Sequence, residues 1–128
     1  MAQKDTLSSL IHGNFAKKLS ISDGKMPPNA LDFERIVIGT FLIDRKGLDH
    51  SIDLLTPDVF YDPRHQTIFS SILKLYESNS PIDLMTVIQD LKKNEKLSLA
   101  GGDHYIIDLT MGVSSSAHIE YHVRVILE

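Results

Sequence analysis

Apolar residues recur at helical spacing along most of the chain from residue 29 onward. In the stretch 32–43, Phe33, Ile36, Val37 and Phe41 form one stripe, which Ile38 and Leu42 widen. This spacing predicts a first helix over 32–43, and a helix so rich in apolar residues is expected to be largely buried. Gly39 in its middle costs about 1 kcal/mol relative to alanine. We therefore expect a neighbouring helix to approach closely at this glycine.

The next segments contain residues that are typical of helix starts. Gly47 is expected to open a short second helix, and Thr56 to cap a further turn that begins at Pro57. Asp62 is predicted as the N-cap of a third helix, with Pro63 as its first residue. The apolar stripe of that helix consists of His65, Ile68, Phe69, Ile72, Leu73 and Tyr76.

The second half of the chain predicts three more helices. Asp83 caps a fourth helix, a turn follows at Gly101-Gly102, and Asp103 is predicted to cap a short fifth helix. The residues of 114–116 are expected to cap a last helix over 117–127, whose inward stripe is Ile119, Val123 and Ile126. The weak strand candidate is 96–99. The pattern as a whole predicts an all-α fold, a compact orthogonal bundle of about six short helices.

Residues 1–28 differ from this pattern because glycine, serine and proline interrupt their few apolar residues. We expect this segment to be a flexible tail that is able to fold on a partner. The predicted division is thus a tail over 1–28 and a helical domain over 29–128.

Composition narrows the possible chemistry. The 128 residues include no cysteine, which excludes disulfides, thiolate metal sites and a cysteine nucleophile. The net charge of −4 argues against a strongly basic nucleic-acid surface. No apolar run approaches the roughly 18 residues of a membrane span.

The sequence contains no recognisable catalytic motif. Gly24-Lys25 lacks the remaining residues of a phosphate-binding loop. His118 and His122 are spaced i, i+4, but Ile119 occupies the glutamate position of a HExxH motif and a third ligand is missing. For His65 we expect a packed, hydrogen-bonded histidine rather than a base. The prediction is therefore no catalytic, cofactor or metal site in this chain.

The order of several short motifs is more informative than their chemistry. They are Pro27-Pro28, Glu34-x-x-Val37-Ile38-Gly39-x-x-Leu42, the run 53–61, His65-x-x-Ile68-Phe69-x-x-Ile72, Pro81-Ile82-Asp83-x-x-Thr86-Val87, Gly101-Gly102-x-x-Tyr105-Ile106-x-x-Leu109 and His118-Ile119-Glu120-Tyr121. Over residues 27–128 this series closely resembles the N-terminal domain of bacterial replicative DNA helicases of the DnaB type. We interpret ten residues as a fold signature rather than a site: Gly39, Phe60, Tyr61, Pro63, His65, Phe69, Asp83, Gly101, Gly102 and Tyr105.

The resemblance implies a cytoplasmic, hexameric helicase that unwinds DNA at the replication fork with ATP. ATP and Mg²⁺ would act in a separate motor domain, which is expected beyond Glu128 together with a helical hairpin and a linker. The implied partners are other helicase subunits, primase and, in some bacteria, a loader protein. This chain alone is expected to hydrolyse no ATP and to bind DNA weakly if at all.

The final helix provides the candidate interface. Tyr121 and Val125 lie i, i+4 on a second face, and apolar residues on more than one face often mark a partner site. The alternative is that both residues pack under a loop of the same domain. Two other interpretations of the whole chain stay open at this point. The chain could be the helicase-binding domain of a primase or a stand-alone helical adaptor. A small metal-dependent enzyme is a more distant one.

Overall fold

A computed structural model describes residues 30–113 and 117–128. Within these ranges the chain forms helices joined by turns and contains no strand, so the all-α prediction is confirmed. The predicted tail over 1–28 lies outside the described residues. The elements are the α-helices α1 (Ala30–Ile43), α2 (Arg45–Ser51), α3 (Pro63–Glu77), α4 (Leu84–Lys93), α5 (Gly102–Met111) and α6 (Ile119–Leu127), with 3-10 turns at Ile52–Leu54 and Pro57–Val59.

Helix α1 is the centre of the bundle, because all five of the other helices pack against it. Its inner face is built from Val37, Ile38, Phe41 and Leu42, which are almost completely buried. The observed helix begins at Ala30, two residues before the predicted start. The predicted stripe was shifted, however, since Phe33 and Ile36 are only partly buried whereas Glu34 is buried. The core therefore follows the spacing 34, 37, 38 and 41.

Gly39 allows α5 to approach α1 closely, as predicted. A Cβ atom at this position would lie 2.2 Å from the carbonyl oxygen of Leu109 and 2.8 Å from the side chain of Val113. Both distances are far below van der Waals contact, so any side chain at residue 39 would force the two helices apart. The cost of glycine inside α1 is offset by this helix packing.

Two predicted helix starts are confirmed in detail. The Asp62 side chain accepts a hydrogen bond of 2.9 Å from the backbone N–H of Arg64, and Pro63 is the first residue of α3. At α4, Asp83 accepts from the N–H of Thr86, whose hydroxyl in turn accepts from the N–H of Asp83. This reciprocal pair is a capping box, which satisfies N–H groups that have no partner within the helix.

Other predicted starts were wrong. Helix α2 begins at Arg45 and is capped by Asp44, whose side chain accepts from the N–H groups of Lys46 and Gly47. Gly47 is thus inside the helix rather than at its start. Helix α5 follows Gly101, which has a left-handed φ of 99°, so Asp103 lies within the first turn and is not the cap.

The remaining differences are local. Thr56 precedes its 3-10 turn as predicted, but its hydroxyl hydrogen-bonds to Asp58 rather than to the backbone. The strand candidate at 96–99 is a turn, because the N–H of Ala100 donates to the carbonyl groups of Lys96 and Leu97. Helix α6 starts at Ile119 instead of residue 117. The cap expected from residues 114–116 lies outside the described residues.

Candidate interaction surface

A buried polar network joins the start of α3 to α1. Glu34, only 1% exposed, accepts hydrogen bonds from the backbone N–H groups of Tyr61 at 2.6 Å and Asp62 at 3.2 Å. It also lies 2.8 Å from Nδ1 of His65, which is completely buried. Because a carboxylate oxygen only accepts, Nδ1 of His65 donates in this contact. The Glu34 carboxylate of α1 thus accepts from three donors, two in the segment just before α3 and one within α3.

The network extends to α5 through Tyr105. The Tyr105 hydroxyl lies 2.6 Å from Nε2 of His65, and the two rings stack with centroids 5.9 Å apart. We call Glu34, His65 and Tyr105 the buried joint. It joins α1, α3 and α5 by hydrogen bonds among two buried side chains, Glu34 and His65, and the partly buried Tyr105. His65 has the packed environment that the sequence predicted.

The outer end of the buried joint is covered by an ion pair. Arg64 lies 2.7 Å from Asp62, and its guanidinium carbon is 4.0 Å from the centroid of the Tyr105 ring. Partial burial acts to raise the pKa of Asp62, but the hydrogen bonds from Arg64 outweigh it and the pKa is lowered. Burial raises the pKa of Tyr105 above its ordinary value of 10.0, at which the hydroxyl is already protonated at neutral pH. These groups therefore have structural roles.

The aromatic residues before α3 play unequal parts. Phe60 is completely buried, with its ring centroid 5.2 Å from that of Phe69, and its carbonyl accepts from the Gln66 side chain. Tyr61 is 46% exposed. The buried aromatic ring before the helix is therefore that of Phe60, and the backbone N–H of Tyr61 donates to Glu34.

Gly101 precedes α5 and Gly102 is its first residue, and the backbone at both positions favours glycine. Gly101 and Gly102 both have positive φ, and a Cβ atom at Gly101 would lie 2.7 Å from the Tyr105 ring. Glycine adopts this backbone conformation without strain. The pair thus places α5 so that Tyr105 reaches the buried joint.

The surface around α6 contains the predicted interface residues. Tyr121 is 54% exposed and Val125 is partly buried, while Ile119, Val123 and Ile126 face the core as predicted. The Tyr121 ring contacts Phe33 of α1 edge-on at 6.4 Å, and His122 lies 5.4 Å from the same ring. We call Phe33, His118, Tyr121, His122 and Val125 the α6 surface. Its use as a binding site stays a prediction.

The two histidines of the α6 surface are close enough to interact. The ring centroids of His118 and His122 are 6.5 Å apart. Within residues 30–113 and 117–128, no third His, Cys, Asp or Glu joins them in a group that could hold a metal ion. The pair therefore lacks the ligand set of a structural or catalytic zinc site.

An open groove of about 570 Å³ runs along α3 and α4. Lys74 and Ser71 of α3 both hydrogen-bond to Asp90 of α4, at 2.9 Å and 2.7 Å. Partial burial favours a higher pKa for Asp90, but these contacts outweigh it and the pKa is lowered. Ser71, Lys74 and Asp90 thus tie α3 to α4.

Comparison with known proteins decides the family. The chain matches the DnaB-like helicase N terminal domain over residues 26–128. The chain belongs to this family. The resemblance drawn from the motif order is therefore confirmed.

Individual relatives agree with the DnaB family assignment. The chain is 42% identical over 105 residues to the replicative DNA helicase DnaB of Rhodothermus marinus, and 33% identical over 104 residues to that of Geobacillus stearothermophilus. These alignments cover 82% and 81% of this chain, but 11% and 23% of the relatives. The chain thus spans less than a quarter of either helicase.

The fold agrees as well. The crystal structure of the N-terminal domain of DnaB helicase from Mycobacterium tuberculosis superposes with a TM-score of 0.74 at 30% identity, covering 80% of this chain and 73% of that one. None of the helices in the described part of this DnaB-family chain is both long and apolar enough to cross a membrane.

Sequence reasoning missed the most important residue of the buried joint. Glu34 begins the motif Glu34-x-x-Val37-Ile38-Gly39, but no structural role was predicted for its side chain. A signal was available, because Glu34 precedes Val37, Ile38 and Phe41 by three, four and seven residues and so lies on the buried face. A carboxylate in that position requires partners, since an unpaired buried charge is strongly destabilising.

Proposed function

We propose that this domain is the N-terminal scaffold of a hexameric replicative helicase, in which it supports assembly of the ring and docking of primase and a loader protein. In this proposal a separate motor domain uses ATP and Mg²⁺ to unwind DNA at the replication fork in the cytoplasm. The observation that carries it is the family match over residues 26–128, together with relatives that are replicative helicases several times longer than this chain.

The arrangement of the side chains supports a scaffold role. Among the described residues, the buried ionisable side chains are Glu34, Asp62 and His65, and each has hydrogen-bond partners within the bundle. Several large apolar side chains are instead exposed, among them Met85, Leu99, Met111 and Tyr121. Such a division suits a protein whose interior fixes the fold and whose surface meets partners.

Ring assembly is tested with the full-length helicase that contains this domain. Sedimentation velocity is compared between that protein and a variant lacking residues 1–128. We expect the intact protein to sediment as a hexamer and the deletion variant to form smaller species at the same concentration. A hexamer of unchanged stability without the domain would contradict the assembly role.

Primase docking is tested separately by titrating the 128-residue chain with primase from the same organism in a calorimeter. We expect a saturable binding isotherm. The chain should show no ATP turnover above a blank, and anisotropy at about 150 mM salt should detect no submicromolar binding of single-stranded DNA. Lack of heat and of co-sedimentation with primase would contradict the docking role.

A further inference from the structure

His122 occupies the contact between α6 and α1. Its ring is partly buried and lies 5.4 Å from that of Phe33 on α1, 5.7 Å from Tyr121 and 6.5 Å from His118. The His118 side chain does not cap the first turn of α6, and α6 packs against α1 and α2. A change at His122 therefore acts directly on the attachment of α6.

We propose that His122 makes the attachment of α6 to α1 sensitive to acid. A neutral imidazole packs against the ring of Phe33, whereas an imidazolium at a partly buried site loses hydration, which the attraction of the Phe33 and Tyr121 rings for a cation offsets only in part. Protonation would then favour states in which α6 separates from α1 and the ring of His122 reaches water.

Within residues 30–113 and 117–128, no carboxylate forms an ion pair with His122. Helix α1 presents the Phe33 ring, α6 presents Tyr121, and His118 lies just before α6. Among the described residues, His118 is the group whose charge acts on His122, and it is repulsive; no titratable group of α1 or α2 contributes. A carboxylate partner, which would favour the charged ring, is not among these groups.

The direction of the pH effect follows from the pKa. Burial, and then the charge of His118, lowers the pKa of His122 below its ordinary value of 6.5. The folded state therefore binds fewer protons here than the unfolded state, and stability falls as the pH drops below about 6.5. The lowered pKa values of Asp62 and Asp90 affect stability only near and below the ordinary aspartate pKa of 3.8, so these two groups do not contribute between pH 7.5 and 5.5.

The first test is an NMR titration of the histidine rings in the 128-residue chain, with the His122 signal assigned from H122Q. We expect its midpoint to lie below that of the same residue in the urea-unfolded chain. H118Q should raise this midpoint, because it removes the repulsive charge. A midpoint at or above the unfolded value would overturn the proposal.

The second test compares thermal unfolding at pH 7.5 and pH 5.5. We expect the Tm of the wild-type chain to fall by about 2 °C or more beyond the fall in H122Q. The matched control is H104Q, which changes an exposed histidine of α5 and should retain the wild-type dependence. Because the readout is a difference across pH, a uniform loss of stability in H122Q does not affect it. An equal fall in H122Q and wild type would overturn the proposal.

A third measurement locates the effect. Hydrogen-exchange protection factors, corrected for intrinsic exchange, should fall on acidification more in α6 than in α3. A uniform fall in both helices would contradict a local opening at α6.

Discussion

Two consecutive residues of α1 take part in contacts of opposite character. Glu34 belongs to the buried joint, where it is 1% exposed and accepts hydrogen bonds from the backbone N–H groups of Tyr61 and Asp62, just before α3. Phe33 is partly buried and meets the rings of Tyr121 and His122 on the α6 surface. The same turn of α1 thus makes a buried polar contact with the segment before α3 and a partly exposed aromatic contact with α6.

The difference shows where this fold is rigid and where it is adjustable. In the buried joint, each lost polar partner leaves another group without a hydrogen bond in a dry environment, which costs about 1–3 kcal/mol per group. At exposed positions of the α6 surface, such as Tyr121, water replaces a lost contact at little cost. Substitutions should therefore affect folding strongly at the joint, and mainly affect association or pH response at α6.

The largest effect is expected from Glu34→Ala. It leaves the N–H groups of Tyr61 and Asp62 and Nδ1 of His65 without their acceptor, so we expect a loss of about 3–5 kcal/mol in the free energy of unfolding. Urea denaturation measures this loss. The control is Glu120→Ala at an exposed position of α6, which we expect to change the free energy of unfolding by about 0.5 kcal/mol or less. Equal effects of the two substitutions would remove the distinction between the regions.

Gly39→Ala should be next in size. The new methyl group would overlap the backbone of Leu109, which cannot move without displacing α5 from α1, and we expect a loss of about 3 kcal/mol. Gly112→Ala is the control, because no atom lies within 4 Å of a Cβ there. Thermal unfolding of both variants decides the matter, and a G39A protein as stable as G112A would refute the close contact.

Tyr105→Phe removes the hydroxyl that hydrogen-bonds to His65 and that also lies near Arg35. The ring and its stacking are kept while the hydroxyl contact to His65 is lost, so about 1 kcal/mol is expected. The matched substitution Tyr121→Phe on the α6 surface should leave the unfolding midpoint in urea unchanged. If both substitutions have the same effect, the hydrogen bond to His65 contributes nothing to stability.

The smallest effect on folding is expected from Val125→Asp. We expect weak self-association of the wild-type chain through the α6 surface, in the micromolar range or weaker because the interface is small. V125D should weaken this association with about 1 kcal/mol or less of lost stability. Sedimentation velocity over a concentration series provides the measurement. Met111→Asp, at a residue 75% exposed on α5, is the charge-matched control.

Two outcomes would contradict this prediction. A wild-type chain that stays monomeric at high concentration would mean that the α6 surface does not bind a second copy. Unfolding of V125D would mean that the residue belongs to the core rather than to an interface.

The sequence alone determined the all-α class, the family and the starts of α3 and α4. Those starts depend on contacts within a few residues, such as Asp62 with Arg64 and Asp83 with Thr86, which local chemistry specifies. Gly39 likewise indicated a close helix approach, although not its partner. At α2 and α5 the local signals competed, and Asp44 and Gly101 were the observed caps rather than the predicted residues.

Only the tertiary structure decided the buried joint and the composition of the α6 surface. The hydrogen bonds of Glu34 to Tyr61 and of His65 to Tyr105 join residues 27 and 40 positions apart. Helical periodicity indicates which residues share one face of a helix, but not which residues distant in sequence pack against that face. Periodicity therefore predicted an apolar stripe that includes Phe33 and Ile36. In the structure these two residues are only partly buried, and Glu34 lies in the interior of the bundle. A buried carboxylate is stable there because partners from α3 and its preceding loop converge on it.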